Sequence, residues 1–354
     1  MQLTLLSWIL ERIRWRIEVY LSRHGPSLPA DDFLSLSYYF DEVYRKNRPK
    51  LSFSARDEDD WKEWQRESKD KLISLLGVLV SKRGMENYEV RETYEEDDIT
   101  VRHLYIWGEE HTKIPALFLI PPGNEHPKPA VICLHGHNPG KICTVGKKKS
   151  DSGSNYGIAL AKRGLITISL DQWGFGERGI DEPRLSLNAL LFGKTLLGLR
   201  ILDVMIVTDF LQRQPEVDSK RIACIGQSLG GTVAAFTAAL DERIKATVIS
   251  GYLNTFKRSI LEKKHCPCNY VPGILEYFEL YDIVSLIAPR PLFIIHGKND
   301  PSFPFDGAKE AFHKINEVYR FLKSEDKIGC HFFEGGHKFV GSYAYPWLEK
   351  HIRS

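Results

Sequence analysis

Residues 221–240 read Arg221-Ile-Ala-Cys-Ile-Gly226-Gln227-Ser228-Leu229-Gly230-Gly231-Thr-Val-Ala-Ala-Phe-Thr-Ala-Ala-Leu240. Ile222 to Ile225 form a short apolar run suited to a strand buried on both faces, and Thr232 to Leu240 is Ala-rich and helical in character. Ser228 therefore stands on a strand-to-helix turn. So tight a turn crowds the backbone, and Gly226 and Gly230, two positions before and two after the serine, supply the room. The hydroxyl is then held outward, and the free N–H groups at the start of the helix favour an oxyanion beside it. These features mark Ser228 as a candidate nucleophile.

A serine hydroxyl is a poor nucleophile without a base to take its proton, and the base needs an acid to orient it. From residue 129 onward, apolar runs at 130–134, 165–170, 222–225, 244–249 and 291–295 alternate with helical stretches at 156–163, 186–214, 232–240 and 306–323. This rhythm predicts a mainly parallel sheet with helices on both faces, whose reactive loops gather at the carboxyl ends of the strands. Residues 328–333 read as the last strand and 345–353 as a closing helix. His337, in Glu334-Gly335-Gly336-His337, follows that last strand and is the candidate base. His296, His313 and His331 read as structural. Asp300, at the carboxyl end of the preceding strand, is the candidate acid; Asp306 is the runner-up and reads as a helix cap.

An oxyanion hole needs two N–H groups aimed at the developing charge. The amide of Leu229 supplies one, and the loop Leu134-His135-Gly136-His137-Asn138-Pro139-Gly140 the other, from the backbone of His137. His135 and His137 could be an HxH metal pair, but no third ligand is evident. The run His265-Cys266-Pro267-Cys268 lacks a second pair at metal-site spacing, so it reads as loop packing and no metal is expected.

Residues 1–85 read as a charged, helical N-terminal extension. Trp8, Ile9, Arg12, Ile13, Arg16 and Ile17 have helical spacing, and the stretch 57–79 opens on an acidic cluster suited to a helix N-terminus. The extension is expected to clamp the core or a subunit contact. Residues 88–94, 99–107 and 114–120 read as strands of an antiparallel edge, and 251–288 as a long, cap-like insert of functional importance.

At 354 residues the chain accommodates one large domain plus this extension. Its 48 Lys and Arg against 46 Asp and Glu leave no global field, so neither nucleic acid nor a charged membrane surface is an expected partner. The six scattered cysteines read as core thiols. The apolar stretch 3–10 has no basic residue before it and charges directly after it, which suits neither a signal peptide nor a span, so a cytoplasmic protein is expected.

Across 85–354 the sequence resembles the α/β-hydrolase superfamily. The resemblance rests on Gly226-Gln-Ser228-Leu-Gly230-Gly231, His135-Gly136-His137, Asp171-Gln-Trp173-Gly-Phe175-Gly176-Glu-Arg178, His296-Gly-Lys-Asn-Asp300 and Gly335-Gly-His337. Within it the chain is similar to the dienelactone-hydrolase and acetyl xylan esterase-like group, a likeness shared by Cys268-Asn-Tyr270-Val-Pro-Gly273, Asp282-Ile and Ala288-Pro-Arg-Pro291. The resemblance implies an α/β-hydrolase fold over 86–354, with an eight-stranded sheet and the insert between the sixth and seventh strands. It also implies a serine ester hydrolase with Ser228, Asp300 and His337 as its triad and no cofactor. Dienelactone hydrolases carry a cysteine where Ser228 stands.

The expected reaction is hydrolysis of a small-molecule ester of a short acid, such as acetate, through an acyl-enzyme. Trp173 and Phe175, beside the catalytic edge, and Tyr252 and Tyr270, in the insert, are expected to wall a compact pocket. Two alternatives stand beside it. A serine peptidase of the prolyl oligopeptidase type shares the triad order, although nothing before residue 85 resembles a propeller. A ligand-binding protein on a hydrolase fold is countered by all three triad positions being occupied. A homo-oligomer is left open.

Overall fold

The computed structural model describes residues 36–78, 87–123, 127–147, 153–179 and 181–353. The stretch 3–10 and the helical pattern from Trp8 to Ile17 lie outside them. The chain divides into two units, 1–47 and 48–354. In the first, helix α1 (Leu36–Lys46) carries an Arg45–Glu42 pair at 2.7 Å.

The second unit begins within the segment read as an extension. Its helix α2 (Glu58–Leu76) is capped by Asp57, whose side chain accepts from the amides of Asp59 and Asp60, and it ends at Gly77 in the left-handed region. Three acidic residues in its first turn complement the helix dipole. Trp61, Trp64, Leu72 and Leu76 turn inward into the main core. At roughly 1.5–3 kcal/mol for each large side chain buried, this packing outweighs any intrinsic helix preference.

Nine strands form one sheet: β1 (Tyr88–Glu96), β2 (Ile99–Trp107), β3 (Lys113–Ile120), β4 (Lys128–Leu134), β5 (Ile166–Leu170), β6 (Val217–Gln227), β7 (Ile244–Ser250), β8 (Leu292–Gly297) and β9 (Ile328–Phe333). Their order is β1-β2-β3-β5-β4-β6-β7-β8-β9, parallel from β5 to β9 and antiparallel from β1 to β5. The α/β-hydrolase fold is as expected, but the sheet has one strand more than the eight anticipated, and the insert lies between β7 and β8. All nine coincide with runs read as strands in the sequence, and only the count implied by the resemblance falls short; β1 pairs with β2 from Tyr88 opposite Ile106 to Glu96 opposite Ile99. Its exposed Arg91, Glu92 and Glu95 suit a free edge, since charge discourages further strand pairing.

Period-two alternation along β6 sorts side chains between the two faces. Ile222 and Cys224 pack with the residues of α2, of α6 (Leu196–Gln212) and of α7 (Leu229–Leu240), while Ala223 and Ile225 pack with α4 (Tyr156–Ala161) and α10 (Ala344–Arg353). The other helices are α3 (Lys141–Thr144), α5 (Glu182–Leu191), α8 (Leu280–Ser285) and α9 (Phe305–Phe321). The single helix expected over 186–214 is two, α5 and α6. Gly193 turns the chain at φ 66°, and the Thr195 hydroxyl then caps α6 by accepting from the Gly198 amide at 2.9 Å.

The insert is part of the core rather than a detached cap. Tyr252, Leu253, Phe256, Val271, Ile274 and Phe278 are buried in the main cluster. Where the insert rejoins the sheet, Glu279 and Asp282 form a capping box on α8, and Asp282 also accepts from the Phe53 amide at 3.0 Å. Burial pushes the Asp282 carboxyl up to about 7, against the two amides that favour its charged form. A raised acid binds its proton more tightly folded than unfolded, so its contribution is complete below the ordinary carboxylate range and is lost as pH rises to about 7. Urea unfolding of wild type and Asp282→Asn from pH 4 to 8 should show wild type losing ground to the variant by up to about 4 kcal/mol. A gap that stays constant with pH would refute this.

Candidate active site

The sheet reverses its direction of growth at β4, because β5 returns to one side of it and β6 to the other. The crevice at the carboxyl ends of β4 and β6 is therefore where such a sheet can hold a ligand. Two loops open there, the one after β4 that carries His135 to Gly140 and the turn after β6 that carries Ser228.

Ser228 has φ 55° and ψ −121°, a conformation that costs a non-glycine residue about 1–3 kcal/mol. Neighbouring bonds hold it there. Its amide donates to the Ser250 carbonyl at 2.8 Å, and its carbonyl accepts from the Thr232 amide at 2.9 Å. A Cβ at Gly226 would lie 2.1 Å from the Gly230 carbonyl oxygen, and one at Gly230 would lie 1.9 Å from that of Leu134. Both positions must be glycine. Leu229 is the first residue of α7, so its amide has no acceptor within the helix.

Across the crevice, His337 follows β9 and Asp300 follows β8. His337 Nδ1 lies 2.6 Å from Asp300 Oδ2, and the other Asp300 oxygen accepts from the amides of Ser302 at 2.9 Å and Phe303 at 3.1 Å. Burial opposes the Asp300 charge, but His337 and these two amides outweigh it and hold the carboxyl below its usual range. An ionised Asp300 can only accept, so Nδ1 carries the proton and donates it in this hydrogen bond, which leaves Nε2 of His337 as the acceptor. The Phe303 ring stacks on His337 at 5.9 Å, and its carbonyl lies 2.8 Å from the buried His296. Asp306, the runner-up acid, lies exposed in the first turn of α9; the N-cap is Pro304.

The profile of the Abhydrolase family matches residues 29–334. The chain belongs to the Abhydrolase family. It is 33% identical over 265 residues to a Bacillus subtilis protein named "Putative hydrolase YtaP", covering 72% of this chain and 87% of that protein. Among solved structures it is similar to a "putative acetyl xylan esterase" from Bacteroides fragilis, with TM-score 0.79 and 16% identity over 93% of this chain and 97% of the other. A glucuronoyl esterase from Solibacter usitatus aligns with TM-score 0.60 and 16% identity over 81% of this chain and 92% of its own. These structural likenesses show the fold.

In this Abhydrolase family member, Ser228, Leu229, His137 and His337 all border one cleft of about 610 Å³. The β4 loop is brought against the serine by Gly136, where a Cβ would lie 3.3 Å from that of Ser228. His135 is buried and locks the loop: its Nδ1 donates to the Gly136 carbonyl at 2.7 Å, and its Nε2 accepts from the Gln172 amide at 3.1 Å. Burial lowers it to about 4, which keeps that tautomer neutral. The Gly136 carbonyl also accepts from the Asn138 amide at 2.8 Å. In a trans peptide the His137 N–H points opposite to this carbonyl.

The aromatic wall expected from sequence does not border the cleft. Tyr252 is buried against Phe303, Tyr270 lines a separate apolar hollow with Ile260 and Val271, and Phe175 packs edge-on against His135 and His137. Trp173 faces another cavity and carries the Arg178 guanidinium 3.4 Å over its ring. Arg178 in turn pairs with Asp203, while Asp171 binds the Lys141 ammonium at 2.6 Å. The loop 171–178 is thus a buried brace. The wall is mixed instead: Asn138, Gln227, Lys264, His265 and Asn269 border it together with Pro139, Leu229 and Phe303, and Asn138, Gln227, His265 and Asn269 each hold a fully buried polar atom with no hydrogen-bond partner among the described residues. Lys264, His265 and Asn269 do not stand out in the sequence as wall residues, because an insert without periodicity carries no sign of which face it turns inward.

Proposed function

We propose that this protein is a serine carboxylic ester hydrolase for short-chain acyl esters of polar alcohols. The observation that carries the reading is Ser228, strained outward at φ 55°, in the same cleft as a His337 whose Nδ1 is bound to Asp300. Ser228 Oγ attacks the ester carbonyl while His337 Nε2 takes its proton. The carbonyl oxygen becomes an oxyanion between the amides of Leu229 and His137. As the tetrahedral intermediate collapses, His337 returns the proton to the departing alcohol and leaves an acyl-Ser228. Water, deprotonated by His337, then releases the acid.

The polar side chains of the cleft support the alcohol half of the substrate assignment. Asn138, Gln227, Lys264 and Asn269 along the cleft offer side-chain donors and acceptors that suit an alcohol bearing hydroxyl groups, such as a sugar. The names of the structural neighbours, acetyl xylan and glucuronoyl esterases, point to the same chemistry.

A p-nitrophenyl ester series from acetate to palmitate, run beside an acetylated sugar and a peptide amide, tests it. Expected are a kcat/KM maximum at hexanoyl or shorter, turnover of the acetylated sugar, an uncleaved amide, and labelling of Ser228 by a fluorophosphonate. A maximum at decanoyl or longer, or activation at an oil interface, would sink the short-acyl assignment. No labelling would favour a binding protein.

A further inference from the structure

Beside the cleft, three distant segments converge on one point. The loop after β4 brings His137, the first residue of α5 is Glu182, and the insert brings Cys266 and Cys268. One donor atom from each lies within 4.8 Å of every other. His137 Nε2 is 3.0 Å from Glu182 Oε2 and 3.8 Å from Cys268 Sγ, and Cys266 Sγ is 2.9 Å from the same carboxylate oxygen.

We infer that these four side chains form a closed tetrahedral site for a structural zinc ion. Zinc–nitrogen and zinc–oxygen bonds of about 2.0 Å and zinc–sulfur bonds of about 2.3 Å give tetrahedral edges of about 3.3–3.8 Å. The three contacts above are within about 0.6 Å of such edges. Two thiolates, an imidazole and a single carboxylate oxygen suit zinc and not magnesium or calcium, which take oxygen ligands in larger number.

Hydrogen bonding explains the cluster less well. Thiols are weak donors and acceptors, and Glu182 Oε1 is already engaged by the buried Arg200 at 2.7 Å. With zinc bound, the two thiolates and the carboxylate carry −3, the ion +2 and Arg200 +1, so the site is neutral. Arg200 also orients the ligating carboxylate from behind, as partners of metal ligands commonly do. Cys266 and the partly exposed imidazole of His137 border the cleft, so an ion has a way in.

The consequence reaches the reaction centre. The ion clips the insert to the residue whose backbone is the proposed oxyanion donor, and so makes His137 a positioning residue through its side chain. The inference does not depend on the esterase reading, because its test needs no turnover.

Metal content of the full-length protein, measured by mass spectrometry after expression in zinc-replete medium, should be one zinc per chain. Cobalt(II) added to the metal-free protein should give a thiolate-to-cobalt charge-transfer band together with tetrahedral ligand-field bands. In Cys268→Ser and Glu182→Gln, zinc occupancy should fall at least tenfold in a competition with a chromophoric chelator. Wild-type Tm should rise on adding zinc. Zinc below a tenth of an equivalent with no cobalt–thiolate band, or a Cys266–Cys268 disulfide in the fresh protein, would overturn the assignment. The wild-type measurements stand even if a variant fails to fold.

Discussion

Ser228→Ala should lower kcat by about four to six orders of magnitude on whichever ester proves best, with KM and Tm close to wild type. The variant loses only a hydroxyl and keeps the backbone bonds to Ser250 and Thr232 that hold the turn. His337→Ala should fall as far, and Asp300→Asn by roughly four orders, since an asparagine amide favours the wrong tautomer of His337. The losses should not add: the Ser228→Ala, His337→Ala double variant should be no slower than either single one, because a nucleophile without its base and a base without its nucleophile fail at the same step. Asp306→Asn should retain wild-type kcat, as its carboxyl lies in the exposed first turn of α9. If Ser228→Ala kept kcat within tenfold, or Asp306→Asn fell with Asp300→Asn unharmed, the triad would have to be redrawn.

Gly230→Ala should be the most damaging single methyl group placed near the site. Its Cβ would sit 1.9 Å from the Leu134 carbonyl oxygen and 2.6 Å from the carbonyl carbon, both backbone atoms of a central strand paired on either side. No rotamer relieves such an overlap. Either α7 or β4 must move, and both bury residues in the main core, so a loss of more than about 4 kcal/mol is expected, enough to leave little folded protein. Gly193→Ala serves as the comparison. That glycine has φ 66° but no atom within 4 Å of an added Cβ, so the cost should be the conformational one alone, about 1 kcal/mol. Chemical denaturation of the two variants measures the difference. Similar losses in both would mean that the elbow tolerates a displacement of the sheet.

Much of the fold and of the candidate site is legible in the sequence because the signals are local. The strand, the two glycines and the Ala-rich helix around Ser228 lie within twenty consecutive residues, and His337 and Asp300 each follow a recognisable apolar run. The apolar runs match β4, β5, β7 and β8 to within a few residues, since burial on both faces leaves an unbroken apolar signature, and the half-buried edge strand β9 matches its run as well. The break between α5 and α6 is not visible in the sequence, because Leu190, Leu191 and Phe192 continue the apolar pattern although they lie exposed. The nature of the cleft wall is hidden too. Tyr252 and Tyr270 look like pocket walls by composition, yet one is core and the other faces a separate hollow.

The sequence by itself determined the fold class, the candidate nucleophile and the order of its partners, because periodicity and turn chemistry act over a few residues. Which side chains meet across the sheet was decided only by the tertiary structure. His137, Glu182, Cys266 and Cys268 stand in three segments separated by dozens of residues, and neither the HxH pair nor the Cys-Pro-Cys run has the further ligands nearby in sequence that would complete a site. They come together because parallel strands bring the loops that follow them to one edge of the sheet, and which of those loops meet depends on strand order rather than on spacing along the chain.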